Sequence, residues 1–176
     1  MRKIYIVLAM AVFAFSSCQQ ELTLENAGTG TGSSGGGGGT GIYYVKFKLN
    51  GVQQEYREVA TGVKGTLGPI QFFSVVGRPS SALQPAIGVT INDATPIVIN
   101  KTYDDTPVLG TLSSLQYNDA TGTSYSTAVA LTPGFECRFS EITATTARGT
   151  FKGNCSPIGS TAVNAITEGE FYVKIL

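Results

Sequence analysis

The sequence predicts an all-β fold: an antiparallel β-sandwich of the immunoglobulin-like or jelly-roll-like kind, with a partly open β-barrel as the alternative. Two observations support this prediction. Short segments of alternating apolar and polar residues, separated by Gly, Pro and Asn turns, recur over residues 42–176. No stretch of eleven or more residues in that region shows convincing helical periodicity, and its frequent β-branched and aromatic residues favour strands.

The predicted strands begin with a hairpin. One face of the first strand carries Tyr43, Val45, Phe47 and Leu49. Asn50-Gly51 follows, and this dipeptide is a strong hairpin signal because both residues tolerate positive φ. The return strand continues the apolar face with Val52 and Tyr56, interrupted by the polar Gln54.

Further strands are predicted along the rest of the domain. Residues 70–76 are apolar on both faces, which is typical of a central strand. Residues 118–122 form a predicted turn, because Asn, Asp and Gly favour turn conformations. The other predicted strands cover residues 87–91, 97–99, 111–117, 123–131 and 171–175.

A second hairpin is predicted over residues 135–155, centred near Thr146. Its odd-numbered positions are apolar and its charged residues are even-numbered, as expected for two strands with one buried face. If Cys137 opposes Cys155, the pair lies within reach of a disulfide, and Phe139 faces Gly153. Such a bond would stabilise the domain by about 3 kcal/mol. Two buried free thiols are an alternative, and a redox pair is disfavoured because no C-x-x-C spacing is present.

The N-terminus predicts export and lipidation. Arg2 and Lys3 precede a twelve-residue apolar run, which is too short to span a bilayer comfortably, and small residues then precede Cys18. This order is typical of a bacterial lipoprotein, in which residues 1–17 are removed and Cys18 carries the lipid anchor to the membrane. A cleaved signal with an incidental cysteine, or a retained membrane helix, is the alternative.

Residues 18–41 are predicted to form a flexible tether between the lipidated Cys18 and a single domain at residues 42–176. The segment 28–41 has nine glycines in fourteen residues and no apolar side chain to bury. The domain has the length of one unit with its own core. With Cys18 lipidated, Cys137 and Cys155 are the remaining pair in a protein that meets an oxidising compartment.

Composition disfavours several function classes. The mature chain carries ten basic and twelve acidic residues with no basic block, so nucleic acid is not an expected partner. The chain has no histidine, which removes the commonest general base and metal ligand. No catalytic residue, resident metal or cofactor is therefore assigned, although turn carboxylates could bind calcium and any two carboxylates could in principle serve a hydrolase.

Candidate ligand-binding residues are aromatic and acidic. Tyr44 and Tyr172 are predicted to lie on the strand faces opposite the apolar one, where they could stack on a sugar or contact a protein. Tyr103, Asp104 and Asp105 form a second candidate group in a predicted loop. The alternative for most of these tyrosines is packing within the sandwich or along its edge.

The domain resembles a family of small all-β lipoprotein domains from Bacteroidota. The likeness rests on four segments in order, at residues 47–51 (FKLNG), 100–103 (NKTY), 147–151 (ARGTF) and 166–171 (ITEGEF). The resemblance implies a β-sandwich without an established activity, and Ser16-Ser17-Cys18 is similar to the lipidation site of lipoproteins from that phylum. We therefore expect an outer-membrane lipoprotein, surface-exposed or facing the periplasm, that presents a non-enzymatic binding module for a glycan. A structural accessory subunit that binds an envelope protein, or a hydrolase, is the alternative.

Overall fold

The computed structural model describes residues 42–82 and 84–176, and this part of the chain is built from strands, which confirms the all-β prediction. The signal peptide, Cys18 and the tether fall outside the described residues. A 3₁₀ turn at Thr127–Val129 accompanies the strands. In chain order the strands are β1 (Tyr44–Leu49), β2 (Val52–Tyr56), β3 (Val59–Leu67), β4 (Ile70–Arg78), β5 (Ala86–Asp93), β6 (Thr102–Asp104), β7 (Ser114–Asn118), β8 (Ser124–Ser126), β9 (Glu136–Ile142), β10 (Thr146–Cys155) and β11 (Asn164–Ile175).

The strands form one open sheet that is not closed into a barrel. Its order is β6-β9-β10-β11-β3-β4-β5-β7-β8, and β1 pairs with both β11 and β2. The expectation of a purely antiparallel sheet is wrong at one place, because β3 pairs with the end of β11 in parallel, Thr61 opposite Lys174. This happens because β11 is longer than β1. Tyr172 is the last residue of β11 that pairs with β1. After it, β11 pairs with β3 along the same edge.

The predicted N-terminal hairpin is confirmed. Asn50 has φ 50° and Gly51 has φ 84°, the two positive values that a type I′ turn requires. Leu49 consequently opposes Val52 and Phe47 opposes Gln54. The turn is also tied to the rest of the domain, because the Asn50 side chain accepts a hydrogen bond of 2.8 Å from the backbone N–H of Ala165.

Other predicted elements are confirmed in part. Residues 70–76 lie within β4, between β3 and β5. The predicted strand at residues 123–131 is reduced to the short β8 followed by the 3₁₀ turn, and residues 97–99 are not a strand. Strands β3 and β6 were not predicted from the sequence. In β3, two glycines interrupt the alternation, and the apolar Val63 and Leu67 are exposed.

The core contains a chain of phenylalanine rings. The rings of Phe73 and Phe139 have centroids 4.9 Å apart, and Phe139 lies 5.5 Å from Phe171. Phe151 then links Phe171 to Phe47, with centroid separations of 6.4 and 6.3 Å. All five side chains are buried. Because they come from β4, β9, β11, β10 and β1, the sheet folds over one shared core, as in a sandwich.

The predicted disulfide is wrong. Cys137 opposes Phe151 in β10, and Cys155 opposes Asn164 in β11, so both cysteines are buried free thiols. Residues 151 and 155 are four positions apart, about 13 Å along a strand, whereas a disulfide needs Cα atoms within about 7 Å. The predicted alternation itself is confirmed, because Cys137, Phe139 and Phe151 all face the core.

The turn of this hairpin explains the error in register. The hairpin is centred near residue 144 rather than Thr146, because Thr143 closes a tight turn: its hydroxyl accepts hydrogen bonds from the N–H groups of Thr145 and Thr146, at 3.2 and 2.8 Å. An irregularity in β9 between Phe139 and Glu141 shifts the pairing further. Phe139 therefore opposes Gly149 instead of Gly153.

Candidate functional site

The most chemically varied surface lies on one side of the sheet. We call the solvent-facing side of β6, β9, β10, β11 and β1 the outer face. The strand registers place five of its residues in one row across the five strands, in the order Thr102, Arg138, Thr150, Glu170 and Lys46. A neighbouring row contains Arg148, Tyr172 and Tyr44. The outer face is thus polar and carries both charges, whereas the opposite side of the same strands forms the core.

Tyr44 and Tyr172 both lie on the outer face, as the sequence predicted, and the structure in addition brings them together. The two residues oppose each other in the β1–β11 pair, and their ring centroids lie 6.5 Å apart. Tyr43 packs against Tyr172 from the chain entering β1, at 5.1 Å. All three tyrosines are partly exposed. We call Tyr43, Tyr44 and Tyr172, with the guanidinium groups of Arg57 and Arg148, the tyrosine cluster.

Cations lie over the rings of this cluster. The Arg148 guanidinium is 3.9 Å from the Tyr172 ring centroid, and the Arg57 guanidinium is 5.5 Å from that of Tyr44. Both distances allow a cation–π interaction, worth about 0.5–1 kcal/mol at exposed sites. The carboxylate of Glu141 is 3.7 Å from Arg148 Nε, which is a loose ion pair. Arg148 is therefore held over the Tyr172 ring by the cation–π contact and by the ion pair with Glu141.

A groove of about 450 Å³ adjoins the tyrosine cluster on the outer face. Short residues, Thr102, Thr150 and Gly169, line it together with long charged side chains such as Glu136 and Lys152. Glu170 lines the groove and precedes Tyr172 by two residues in β11, so the groove and the cluster are about 7 Å apart. The two features form one continuous polar and aromatic surface.

A β-bulge in β11 borders the groove. In this region β11 has one more residue than either neighbouring strand. The extra residue lies opposite the step from Lys46 to Lys48 in β1 and the step from Phe151 to Gly153 in β10. The extra residue puts Glu168 in the left-handed region, with φ 49°. At Gly169 a Cβ atom would lie 2.4 Å from the carbonyl oxygen of Phe151, so only glycine fits. Bulges re-aim side chains, and here the bulge sends Glu168 toward Lys48, 2.7 Å away.

The fold separates the residues of the second predicted group, because Tyr103 faces the core whereas Asp104 is exposed and Asp105 is half-buried. Tyr103 is buried, and its hydroxyl accepts a hydrogen bond of 2.8 Å from the N–H of Val98. Burial raises the pKa of this hydroxyl. Asp104 is exposed but accepts a 2.9 Å hydrogen bond from the N–H of Thr106, as in an Asx turn. The prediction that Tyr103 offers a stacking surface is therefore wrong, because β6 turns its ring into the core.

The turn carboxylates considered for calcium are used within the protein. Asp93 is buried and pairs with Lys101. Burial alone would raise the pKa of Asp93, but hydrogen bonds from Lys101 and Thr95 outweigh it and lower the pKa. Asp119 accepts hydrogen bonds within its own turn from Thr121, at 2.6 Å from the hydroxyl. Over residues 42–82 and 84–176, no group of three or more acidic, histidine or cysteine side chains is arranged to hold a metal ion.

The groove was missed from the sequence, although one signal pointed to it. An isolated glycine inside a strand indicates a bulge or a close backbone approach, and Gly169 lies two residues before the predicted strand at residues 171–175, within the Asn164–Ile175 strand of the structure. Arg138 and Thr150 were visible only as outward positions of the second hairpin. They lie beside Glu170 because of the register between β9, β10 and β11, and the register predicted for β9 and β10 was wrong.

Comparisons of the chain with protein-family models, with curated proteins and with solved structures found no match. The resemblance to lipoprotein domains of Bacteroidota therefore stays a prediction. The export signal and the lipid anchor on Cys18 also stay predictions, because they lie outside the described residues. In the part of the chain that the structure covers, no helix has the length and apolar character to cross a membrane.

Proposed function

We propose that the domain is a non-catalytic binding module of the bacterial cell envelope, and that it binds a glycan on its outer face. The observation that carries this proposal is the cross-strand pair of Tyr44 and Tyr172. Sugars present apolar C–H faces and many hydroxyl groups, so a protein surface that binds them combines aromatic rings with fixed hydrogen-bond donors and acceptors. The tyrosine cluster and the groove supply both.

The tyrosine pair is held by the fold rather than by a mobile loop. Tyr44 is the first residue of β1, and Tyr172 lies near the end of β11, the strand that links both parts of the sheet. Lys46 and Glu170, the neighbouring cross-strand pair, form an ion pair of 2.9 Å, and this contact raises the pKa of Lys46. The ligand surface is thus largely preformed, which lowers the entropy lost on binding.

Retention on immobilised polysaccharides tests this function. Tyr44→Ala and Tyr172→Ala should each reduce retention about tenfold, because the loss of an aromatic contact worth about 1.4 kcal/mol corresponds to a factor of ten in affinity. Tyr125→Ala is the matched control, since Tyr125 is also a partly exposed strand tyrosine but lies on β8. Thermal unfolding of each variant shows whether the fold is intact. Unchanged retention of folded Tyr44 and Tyr172 variants would contradict the glycan-binding proposal.

We also propose that Cys18 anchors the protein in the outer membrane. Support comes from the charged, apolar and small-residue order that precedes Cys18 in the sequence. Palmitate labelling of cells should be lost in Cys18→Ala, and protease added to whole cells should cleave the labelled protein if it faces outward. Labelling that does not depend on Cys18 would overturn the anchor. Labelled but protected protein would place the module in the periplasm.

A further inference from the structure

Arg138 lies in the middle of the groove and has short neighbours. It is exposed on β9, between Thr102 of β6 and Thr150 of β10, which oppose it on either side. Both threonines end in a hydroxyl close to the strand, whereas the arginine side chain extends well beyond them. A ligand that enters the groove can therefore reach the guanidinium without displacing another long side chain.

The other charged groups of the groove are already paired. Glu136 binds Lys152 at 3.0 Å, and Glu170 binds Lys46 at 2.9 Å. Glu168, at the bulge, binds Lys48 at 2.7 Å. Arg138, in contrast, has no carboxylate partner within residues 42–82 and 84–176. Its contact is a hydrogen bond of 3.3 Å to the neutral Oδ1 of Asn100. The lining itself carries three carboxylates and two cations, and Lys46 and Lys48 neutralise Glu170 and Glu168 from outside it. Arg138 is thus the charged lining residue without an ion-pair partner in the described part of the chain.

Asn100 fixes the position of that charge. Its φ is 64°, a left-handed value that asparagine adopts more readily than most residues. Its N–H donates a 2.8 Å hydrogen bond to the carbonyl of Phe139, the residue after Arg138. The Asn100 side chain thereby occupies one donor of the guanidinium and orients the rest. Since arginine has five N–H donors, a bidentate contact to an oxyanion is still open.

We propose that the groove is a subsite for the anionic group of an acidic polysaccharide, a carboxylate or a sulfate, bound by Arg138 with the hydroxyls of Thr102 and Thr150. Two matched features make this ligand class the best fit. A planar fork of donors suits a carboxylate or sulfate, and the tyrosine cluster, two strands and two residues or about 12 Å from Arg138, suits the apolar face of a sugar further along the same chain. The proposal rests on the proposed glycan-binding function and specifies its ligand.

The experiment compares charged polysaccharides with their neutral counterparts on the full chain. Polygalacturonate is paired with its fully methyl-esterified form, and dextran sulfate with dextran, so each pair differs in the anionic group. We expect at least one charged member to bind at least tenfold more tightly than its neutral partner, with a preference that shrinks as salt rises. The pair that shows the preference identifies the carboxylate or the sulfate as the group recognised.

Three variants assign that preference to the groove. Arg138→Gln should abolish it, and Asn100→Asp should do so too, because the new carboxylate would neutralise Arg138 at nearly unchanged shape. Lys64→Gln is the control: it removes the same charge from an exposed position on β3 and should leave the preference intact. An equal loss in Lys64→Gln would mean that overall charge, not the groove, selects the ligand, and would overturn the proposal.

The outcome also separates this inference from the proposed function. Binding of neutral and charged polysaccharides with equal affinity, dependent on Tyr44 and Tyr172, would refute the Arg138 subsite and leave glycan binding standing. A preference that survives Arg138→Gln refutes the subsite in the same way. Absence of binding to every polysaccharide tested would refute both.

Discussion

Gly169→Ala tests the packing on which the candidate site depends. Gly169 occupies the β-bulge beside the groove, directly opposite Phe151 in β10. An added Cβ would lie 2.4 Å from the Phe151 carbonyl oxygen and 2.6 Å from its ring. The backbone atom cannot move away without breaking the β10–β11 pairing, and the ring is buried in the phenylalanine core. Relief of the clash must therefore distort the centre of the sheet.

The size of the effect follows from these contacts. Overpacking a well-filled site costs about 1–3 kcal/mol, and a clash with backbone as well as a buried ring puts Gly169→Ala at the upper end, near 3 kcal/mol. Gly88→Ala is the matched control. Gly88 also lies in a strand, but its added Cβ would meet nothing closer than a carbonyl oxygen at 3.9 Å. Since alanine reduces the entropy of the unfolded chain, this variant should be neutral or stabilised by up to about 1 kcal/mol.

Equilibrium unfolding in guanidinium chloride measures both variants. With a slope of roughly 4 kcal/mol per molar for a domain of this size, Gly169→Ala should lower the unfolding midpoint by about 0.7 M. Gly88→Ala should leave the midpoint unchanged or raise it slightly. Equal midpoints for Gly169→Ala and the wild type would show that the backbone of β11 adjusts at the bulge without loss of stability. The groove beside the bulge would then not be rigidly preformed.

Two further predictions concern buried groups. Burial raises the pKa of the Cys137 thiol, and it raises the pKa of Cys155 to about 12. Alkylation mapped by peptide mass spectrometry should therefore modify neither thiol in the native protein and both after denaturation. A native disulfide between them would refute the register. Lys101→Met should destabilise by about 1–3 kcal/mol because it leaves the carboxylate of Asp93 buried without its cation. The folded-state pKa of Asp93 lies below its ordinary value of 3.8, so the stability that the pair contributes is present above pH 3.8 and is lost as the pH falls through the folded-state pKa. The difference in unfolding free energy between the wild type and Lys101→Met should therefore decrease in acid. A difference that does not depend on pH would contradict the pairing.

Local sequence patterns, such as turn dipeptides and alternating apolar residues, were enough to predict several strands and the faces of their side chains. Asn50-Gly51 specifies a two-residue turn because only residues that tolerate positive φ fit there, and the alternation on either side then fixes the register. The burial of Cys137 and Phe139 followed from period-two alternation alone. Tyr44 and Tyr172 were placed on the outer face by the same argument.

Register and burial across distant strands could not be predicted in this way. The second hairpin carries no Asn-Gly turn, so its register was inferred from an assumed cysteine pair, and the hydroxyl of Thr143 sets it instead. Tyr103 lies in a three-residue strand too short to show alternation, and its burial depends on packing against Phe139. The groove requires the register of four strands at once, β6, β9, β10 and β11, and β11 contains a bulge.

The strain at Glu168 bears on whether the groove serves a function. A left-handed φ costs a residue with a Cβ about 1–2 kcal/mol, whereas the exposed ion pair to Lys48 is worth at most about 1 kcal/mol. The pair alone does not offset the strain, so a purely structural bulge should prefer glycine at this position. Glu168→Gly and Glu168→Ala separate the two effects, because both lose the ion pair and only glycine also loses the strain. We expect Glu168→Gly to be about 1 kcal/mol more stable than Glu168→Ala and no less stable than the wild type, measured from unfolding midpoints. An alanine variant as stable as the glycine variant would show that the left-handed conformation carries no cost, and strain would then give no reason to link Glu168 to ligand binding.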